Sequence, residues 1–151
     1  MAHNITLNHK QLFKDRQEIS SLLGGDVQKG IAPSSKANII LLFRNENEIY
    51  TDYFYPKDTY DNFMYTGIGR EGHQDSLKNN MYNRNLKILS HRRDDVSLLV
   101  FDKLNSKYCF IGEYQLTETH QNIQPDKNHK LRRVFVFHLK LVSTKVEIAY
   151  L

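Results

Sequence analysis

Apolar and polar side chains alternate most clearly near the end of the chain. There Phe135, Phe137, Leu139 and Leu141 interleave with Val134, Val136, His138 and Lys140. Alternation with period two predicts a strand over 134–142 with one apolar face. Shorter runs at 39–43, 49–55, 62–66, 96–101 and 108–114 are rich in branched and aromatic residues and predict further strands. Helical spacing appears twice. Leu12, Ile19, Leu22 and Leu23 follow Asn8 and Gln11, which stand in a capping-box-like arrangement, and Gly24-Gly25 supplies a stop. A helix is therefore predicted over 8–23. A second is predicted from a cap at Asp75 or Ser76 to Leu89, with Leu77, Met81, Leu86 and Leu89 as its apolar positions. Segments 24–36 and 117–131 are polar and carry glycine or proline, so both predict loops, and the first is long enough to expect a function there.

These elements describe one α+β domain, a curved or closed sheet with two helices outside it. The 151 residues suffice for a single core, and 40% apolar against 25% charged residues is an ordinary globular balance. No repeat, low-complexity tract or linker interrupts the pattern. No apolar run approaches the roughly 20 residues that cross a bilayer. The start, Met1-Ala2-His3-Asn4, lacks the apolar stretch of a signal peptide. The single cysteine, Cys109, lies in an apolar run, which predicts a buried reduced thiol and excludes a cysteine-rich zinc site. A cytoplasmic setting is the expectation.

The net charge of +4 permits a polyanionic partner without singling one out. The aromatics are more telling: nine tyrosines and eight phenylalanines stand against no tryptophan, and the tyrosines crowd into one segment. Next to them, residues 62–75 join a predicted strand to a predicted helix through Gly67, Gly69 and Gly72. The spacing GxGxxG matches a dinucleotide motif, but the βαβ unit and the following acidic residue are missing. His120, His129 and His138 lie nine apart, which is not zinc spacing. No paired-histidine ββα unit, carboxylate–lysine cluster or nucleophile elbow is present, so neither hydrolysis, a metal nor a cofactor is expected.

Six blocks in order carry a resemblance. They are residues 25–34 (GDVQKGIAPS), the strand 39–43, residues 65–75 (YTGIGREGHQD, against a pattern YTGxGxxGxQ), Tyr82-Asn83-Arg84-Asn85-Leu86, the strands 98–101 and 108–114 with Ile111-Gly112-Glu113-Tyr114, and the closing strand 133–139. The chain resembles the SRA (SET and RING-associated) domains of the PUA-like superfamily. It is most similar to the SRA-like modules of modification-dependent restriction endonucleases, over about 25–142. His73 and Tyr82 depart from the pattern, which puts the loop geometry in doubt.

The resemblance implies a PUA-like barrel with two flanking helices, residues 1–151 forming one reader domain. It implies a reader that binds double-stranded DNA and flips a modified cytosine (5-methyl or 5-hydroxymethyl) into an aromatic pocket. Cutting would be left to a nuclease domain beyond residue 151 or on a partner chain. Tyr65 matches the family's tyrosine at the strand end, with Thr66 beside the pocket floor. The second stacking ring would be Tyr50, Tyr53 or Tyr55: counting back from Tyr65 favours Tyr53, whereas the Tyr-x-x-Asp spacing favours Tyr55 with Asp58. Asp58 is the candidate for the base edge, since a carboxylate accepts from the cytosine amino group and repels thymine's carbonyl. Val27, Gln28 and Lys29 match the region that fills the vacated space, and Arg70, Lys78, Arg84, Arg92 and Arg93, with Arg132 and Arg133, are candidates for phosphates. Two other classes remain alternatives, a PUA-like RNA-binding module and a small DNA-acting nuclease.

Overall fold

A computed structural model describes residues 4–44, 52–76 and 81–150. Its elements are β1 (Asn4–Asn8), β2 (Leu12–Phe13), α1 (Arg16–Leu23), β3 (Ile31–Pro33), β4 (Ile39–Arg44), β5 (Tyr53–Tyr55), β6 (Asn62–Thr66), α2 (Tyr82–Leu89), β7 (Ser97–Leu104), β8 (Lys107–Pro125), β9 (Leu131–Ser143) and β10 (Lys145–Ala149). The main sheet runs β3-β4-β7-β8-β9-β6-β5, with β2 added on β8, while β1 and β10 pair with each other. Only β4 and β7 are parallel among these pairs. The path ends at β3 and β5, which do not pair, so of the expected curved or closed sheet the closed form is set aside, and the sheet among the described residues is open.

Both faces of the central strands are covered, which is why β4 reads Ile-Ile-Leu-Leu-Phe without alternation. Ile39, Leu41 and Phe43 join Leu99, Phe101 and Phe110 in a core closed by Ile19 and Leu23 of α1 and by Leu7 and Ile148 of the β1–β10 pair. Ile40 and Leu42 point the other way. They meet Phe63, Tyr65, Leu98, Val100, Phe137 and Leu139, with Ile88 of α2. The free Cys109 is buried, and burial pushes its thiol up.

Three sequence expectations change. The predicted helix over 8–23 is a strand end, a turn and a shorter helix. Asn8 N–H does donate to Gln11 Oε1, at 3.1 Å, but the contact closes a turn with Lys10 at φ 66°, and the true N-cap is Asp15, whose Oδ1 accepts from Glu18 N–H at 2.9 Å. The second helix is Tyr82–Leu89; residues 75 and 76 are not helical, and Leu77 lies outside the described residues. The predicted loop 117–131 is a long β8–β9 hairpin, with Gln124 opposite Arg132. Its strands were hidden because much of β8 beyond Leu116 is exposed, leaving no buried face to impose alternation. β1 and β10 were not anticipated. No helix among the described residues is long and apolar enough to cross a membrane.

Candidate nucleic-acid interface

The β5–β6 hairpin pairs Tyr53 with Met64 and Tyr55 with Asn62. Alternation then sends Phe54, Phe63 and Tyr65 into the inner core, and Tyr55 to the opposite face with Met64, Val134 and Val136. Tyr65 is 1% exposed. Its hydroxyl donates to Gly30 O at 2.8 Å and lies 3.3 Å from Phe43 O, and its ring sits 5.2 Å from that of Phe63. The expectation that Tyr65 presents an open stacking face is therefore corrected: the ring is a core wall whose hydroxyl is spent on backbone carbonyls. Tyr53 is the exposed aromatic, at 47%, with the half-buried Tyr55 ring 6.1 Å away. Tyr50 falls outside the described residues.

Asp58 is also displaced from its expected role. It is exposed, at φ 65°, in the turn that follows the cis Tyr55–Pro56 bond. Such a position suits aspartate for backbone reasons. The carboxylate beside Thr66 is that of Asp52. Thr66 N–H donates to Asp52 Oδ1 at 2.7 Å, and Arg44 Nε holds the Asp52 carbonyl at 3.2 Å. Arg44 also pairs with Asp102 at 3.0 Å. Desolvation pushes the half-buried Asp52 carboxyl up to about 7, against the opposing pull of the Thr66 hydrogen bonds and the Arg44 charge. Thr66 itself is buried. Sequence reasoning missed Asp52 because it followed the Tyr-x-x-Asp spacing; the hairpin register, which carries the chain back past Tyr53 toward Thr66, was the available signal.

The loop after α1 is held from below. Arg16 Nη2 donates to Asp26 O at 2.9 Å and to Lys29 O at 2.8 Å, and its guanidinium lies 3.5 Å from the Phe43 ring centroid. Asp26 Oδ1 accepts from the amides of Gln28 and Lys29. Although burial opposes it, those amides and Arg84 hold the Asp26 carboxyl below its ordinary range. Val27, Gln28 and Lys29 are left exposed at the tip.

Arg84, expected on phosphate, instead pairs with Asp26 and donates to Ile31 O. Arg133 pairs with Asp75, and the buried Arg132 donates to the carbonyls of Gly69 and Gly72. Arg70 and Arg92 are exposed, as is Arg93, which reaches its neighbour Asp94 at 3.3 Å. Lys78 lies outside the described residues. Among the described residues no three histidine, cysteine or acidic side chains gather as metal ligands. None of these candidates lines the open groove of about 620 Å³ between β2 and α1, which is edged by Asp15 and Glu18.

The glycine-rich motif has an architectural meaning. Asn85, fully buried, accepts from Ile68 N–H and donates to Ile68 O, both at 2.8 Å, replacing a strand partner for that residue. Gln74, also fully buried, donates to Gly67 O and accepts from Phe135 N–H. A Cβ on Gly67 would sit 2.7 Å from Gln74 Oε1 and 2.8 Å from Asn85 Oδ1. His73, a departure from the family pattern, accepts from Arg133 N–H through Nδ1 at 3.0 Å. Segment 67–74 is thus laid against β9, and Asp75 serves the Arg133 ion pair rather than a helix cap.

The profile of the ScoMcrA-like SRA domain matches residues 9–150. This chain belongs to the SRA family. No curated protein matches it. Among solved structures, this SRA domain is similar to the type IV phosphorothioation-dependent restriction endonuclease ScoMcrA, at 23% identity and TM-score 0.69, over 90% of this chain and 28% of that one. The DNA modification-dependent restriction endonuclease AspBHI shares 15% identity at TM-score 0.67, over 94% of this chain and 79% of that one. The SUVH5 SRA domain in complex with hemi-methylated CG DNA shares 20% identity at TM-score 0.64, over 90% and 89%. The SRA domain described here therefore spans less than a third of ScoMcrA's length, and its mostly-β architecture with two helices is the SRA fold.

Proposed function

We propose that this domain binds duplex DNA carrying a modified cytosine and holds that base out of the stack, recruiting an endonuclease that resides elsewhere. The observation that carries this reading is the desolvated Asp52 carboxyl fixed against the Thr66 amide on the hairpin that also bears the exposed Tyr53. Asp52 Oδ1 accepts from the Thr66 amide, and in its ionised form the carboxylate is the acceptor for a cytosine amino group, where thymine's carbonyl is repelled. Tyr53 supplies the stacking surface, with Tyr55 beside it and Tyr65 and Thr66 as the wall behind. A base–aromatic stack returns about 1–3 kcal/mol, which offsets the few kcal/mol of unstacking. Val27, Gln28 and Lys29 enter the space the base leaves, and Arg70, Arg92 and Arg93 contact phosphates, which position the protein without reading sequence.

One buried methyl adds only about 0.8 kcal/mol. Discrimination beyond about fourfold then has to come from fit, and 5-methyl- and 5-hydroxymethylcytosine are both accommodated by the reading. The test is the dissociation constant for matched duplexes, unmodified, methylated, hydroxymethylated and phosphorothioated, at one salt concentration because the phosphate contribution otherwise dominates. Tighter binding to the cytosine-modified duplexes is expected. Equal binding to unmodified and cytosine-modified duplexes, a preference confined to phosphorothioate, or tighter binding to single-stranded RNA would overturn it.

A further inference from the structure

The reading above treats the 24–30 loop and the β5–β6 hairpin as two parts of one site, and their hydrogen bonds make them a single mechanical unit. Three carbonyls of the loop, and that of Ile31 at the start of β3, are each held by a side chain from elsewhere in the fold. Arg16 takes those of Asp26 and Lys29, Tyr65 takes that of Gly30, and Arg84 takes that of Ile31. The approach at Gly30 is close enough that a Cβ there would lie 3.0 Å from the Tyr65 hydroxyl and 3.2 Å from Ile68 Cγ2. Every one of these donors acts on the loop's inner side, leaving the side chains of 27–29 directed outward.

Arg16 is the uncommon member of this set. It is 9% exposed, yet it bonds two loop carbonyls, interacts with the Tyr108 side chain, and rests its flat face on Phe43. Withdrawing a guanidinium from water is expensive, and apolar residues of similar volume would hold a core at least as well. Its two bonds bracket the exposed pair Val27-Gln28, so their effect is to fix where that tip stands. Phe43, on which Arg16 stacks, also offers its carbonyl to Tyr65 at 3.3 Å. Arg16, Phe43, Tyr65 and Gly30 therefore close a circuit between the tip and the strand that ends at Thr66.

We infer that Arg16 is a positioning residue for modification reading: it and the Tyr65 hydroxyl latch the 27–29 tip to the hairpin, so that entry of the tip into the duplex and seating of the base at Asp52 and Thr66 occur together. This rests on the proposed base-flipping function. A preorganised tip adds affinity only in the complex where the base has left the stack. Arg16 should then govern the preference for modified DNA and not the phosphate contribution.

The experiment compares the wild type, Arg16→Gln, Val27→Gly and the double variant on duplexes with a central cytosine or 5-methylcytosine. Binding is measured over a salt series, with 2-aminopurine beside the target reporting unstacking. Arg16→Gln should lower the modified-to-unmodified ratio about tenfold, as expected for losing hydrogen bonds from a charged donor. It should reduce the 2-aminopurine signal and leave the salt slope at its wild-type value. The double variant should do no worse than Val27→Gly alone, since an unlatched tip and a missing tip are equivalent. Tyr65→Phe, which keeps the ring and removes only the hydroxyl, should move the ratio the same way by about threefold, and it carries the test if Arg16→Gln does not fold. A wild-type ratio in Arg16→Gln (or in Tyr65→Phe where that is the folded variant), or losses that multiply in the double variant, overturns the latch while leaving the function standing. Absence of any preference in the wild type overturns both.

Discussion

Replacing Asp52 by asparagine is the sharpest probe of the site, because the structure fixes the sign of its effect on stability. The carboxyl is raised from 3.8 to about 7, chiefly by burial. A folded-state value above the unfolded one means that the folded protein retains a proton the unfolded chain has lost. Stability is therefore fullest below about pH 4 and falls as pH rises through 7. The whole displacement corresponds to about 4 kcal/mol, and because the side chain keeps some contact with solvent, about 2 kcal/mol is the working figure. Asparagine is neutral throughout and keeps an oxygen for the Thr66 amide. At pH 8 the variant should thus be the more stable protein, by about 4–8 °C in Tm for a chain of this size, and at pH 4 the two should coincide. Thermal or urea unfolding of both proteins from pH 4 to pH 9 gives the difference directly, other titrating groups cancelling between them. Parallel curves would show that the carboxyl is solvated and would remove the basis for placing a base edge there.

The remaining expectations concern the motif, the stack and the charges. Asn85→Leu deletes both bonds to Ile68 and strands a buried amide and carbonyl, so unfolding in urea should show a loss of about 2–5 kcal/mol. Tyr53→Ala should cost about 1–3 kcal/mol of affinity for the modified duplex in a titration, with the fold unchanged by circular dichroism. Arg70→Ala and Arg92→Ala should each lower the slope of log affinity against log salt by about 1, and neither should alter the preference for modification.

How much of this was legible beforehand differed by element, for physical reasons. The strands read at 39–43 and 134–142, within β4 and β9, and the glycine at the end of α1 were readable because burial or backbone geometry dictates residue type there. The distal hairpin was not, since residues 117–125 face water over most of their length and carry no pattern. Nor was the short β1–β10 ribbon, whose Leu7 and Ile148 are few and far apart in sequence. Tyr65, read as a stacking ring, is a core wall, and Asp58, read as a pocket carboxylate, stands exposed in a turn. A buried tyrosine and a base-stacking tyrosine look alike in sequence, and so do an aspartate in a turn and one in a desolvated notch. Arg84 shows the same limit: its positive charge announced an anion, and the anion is Asp26 of this chain.

The division of labour among the cations follows from that last point. Arg16, Arg84, Arg132 and Arg133 are engaged within the fold, on loop carbonyls or on Asp26 and Asp75. Arginine suits this work because its planar fork reaches several acceptors at once. Lys29, Arg70, Arg92 and many lysines face outward, but 17 acidic residues leave a net charge of only +4, which under the proposed function keeps the sequence-independent part of DNA binding modest. A reader of a rare modification gains from that balance. Strong phosphate affinity would hold such a reader on the vast excess of ordinary duplex, whereas weak phosphate affinity would let the proposed stack on Tyr53 and base edge at Asp52 decide the outcome. The internal arginines spend their charge on holding the loop tip and the glycine-rich segment in place, and selectivity for a base differing by one small group depends on such placement more than on net attraction.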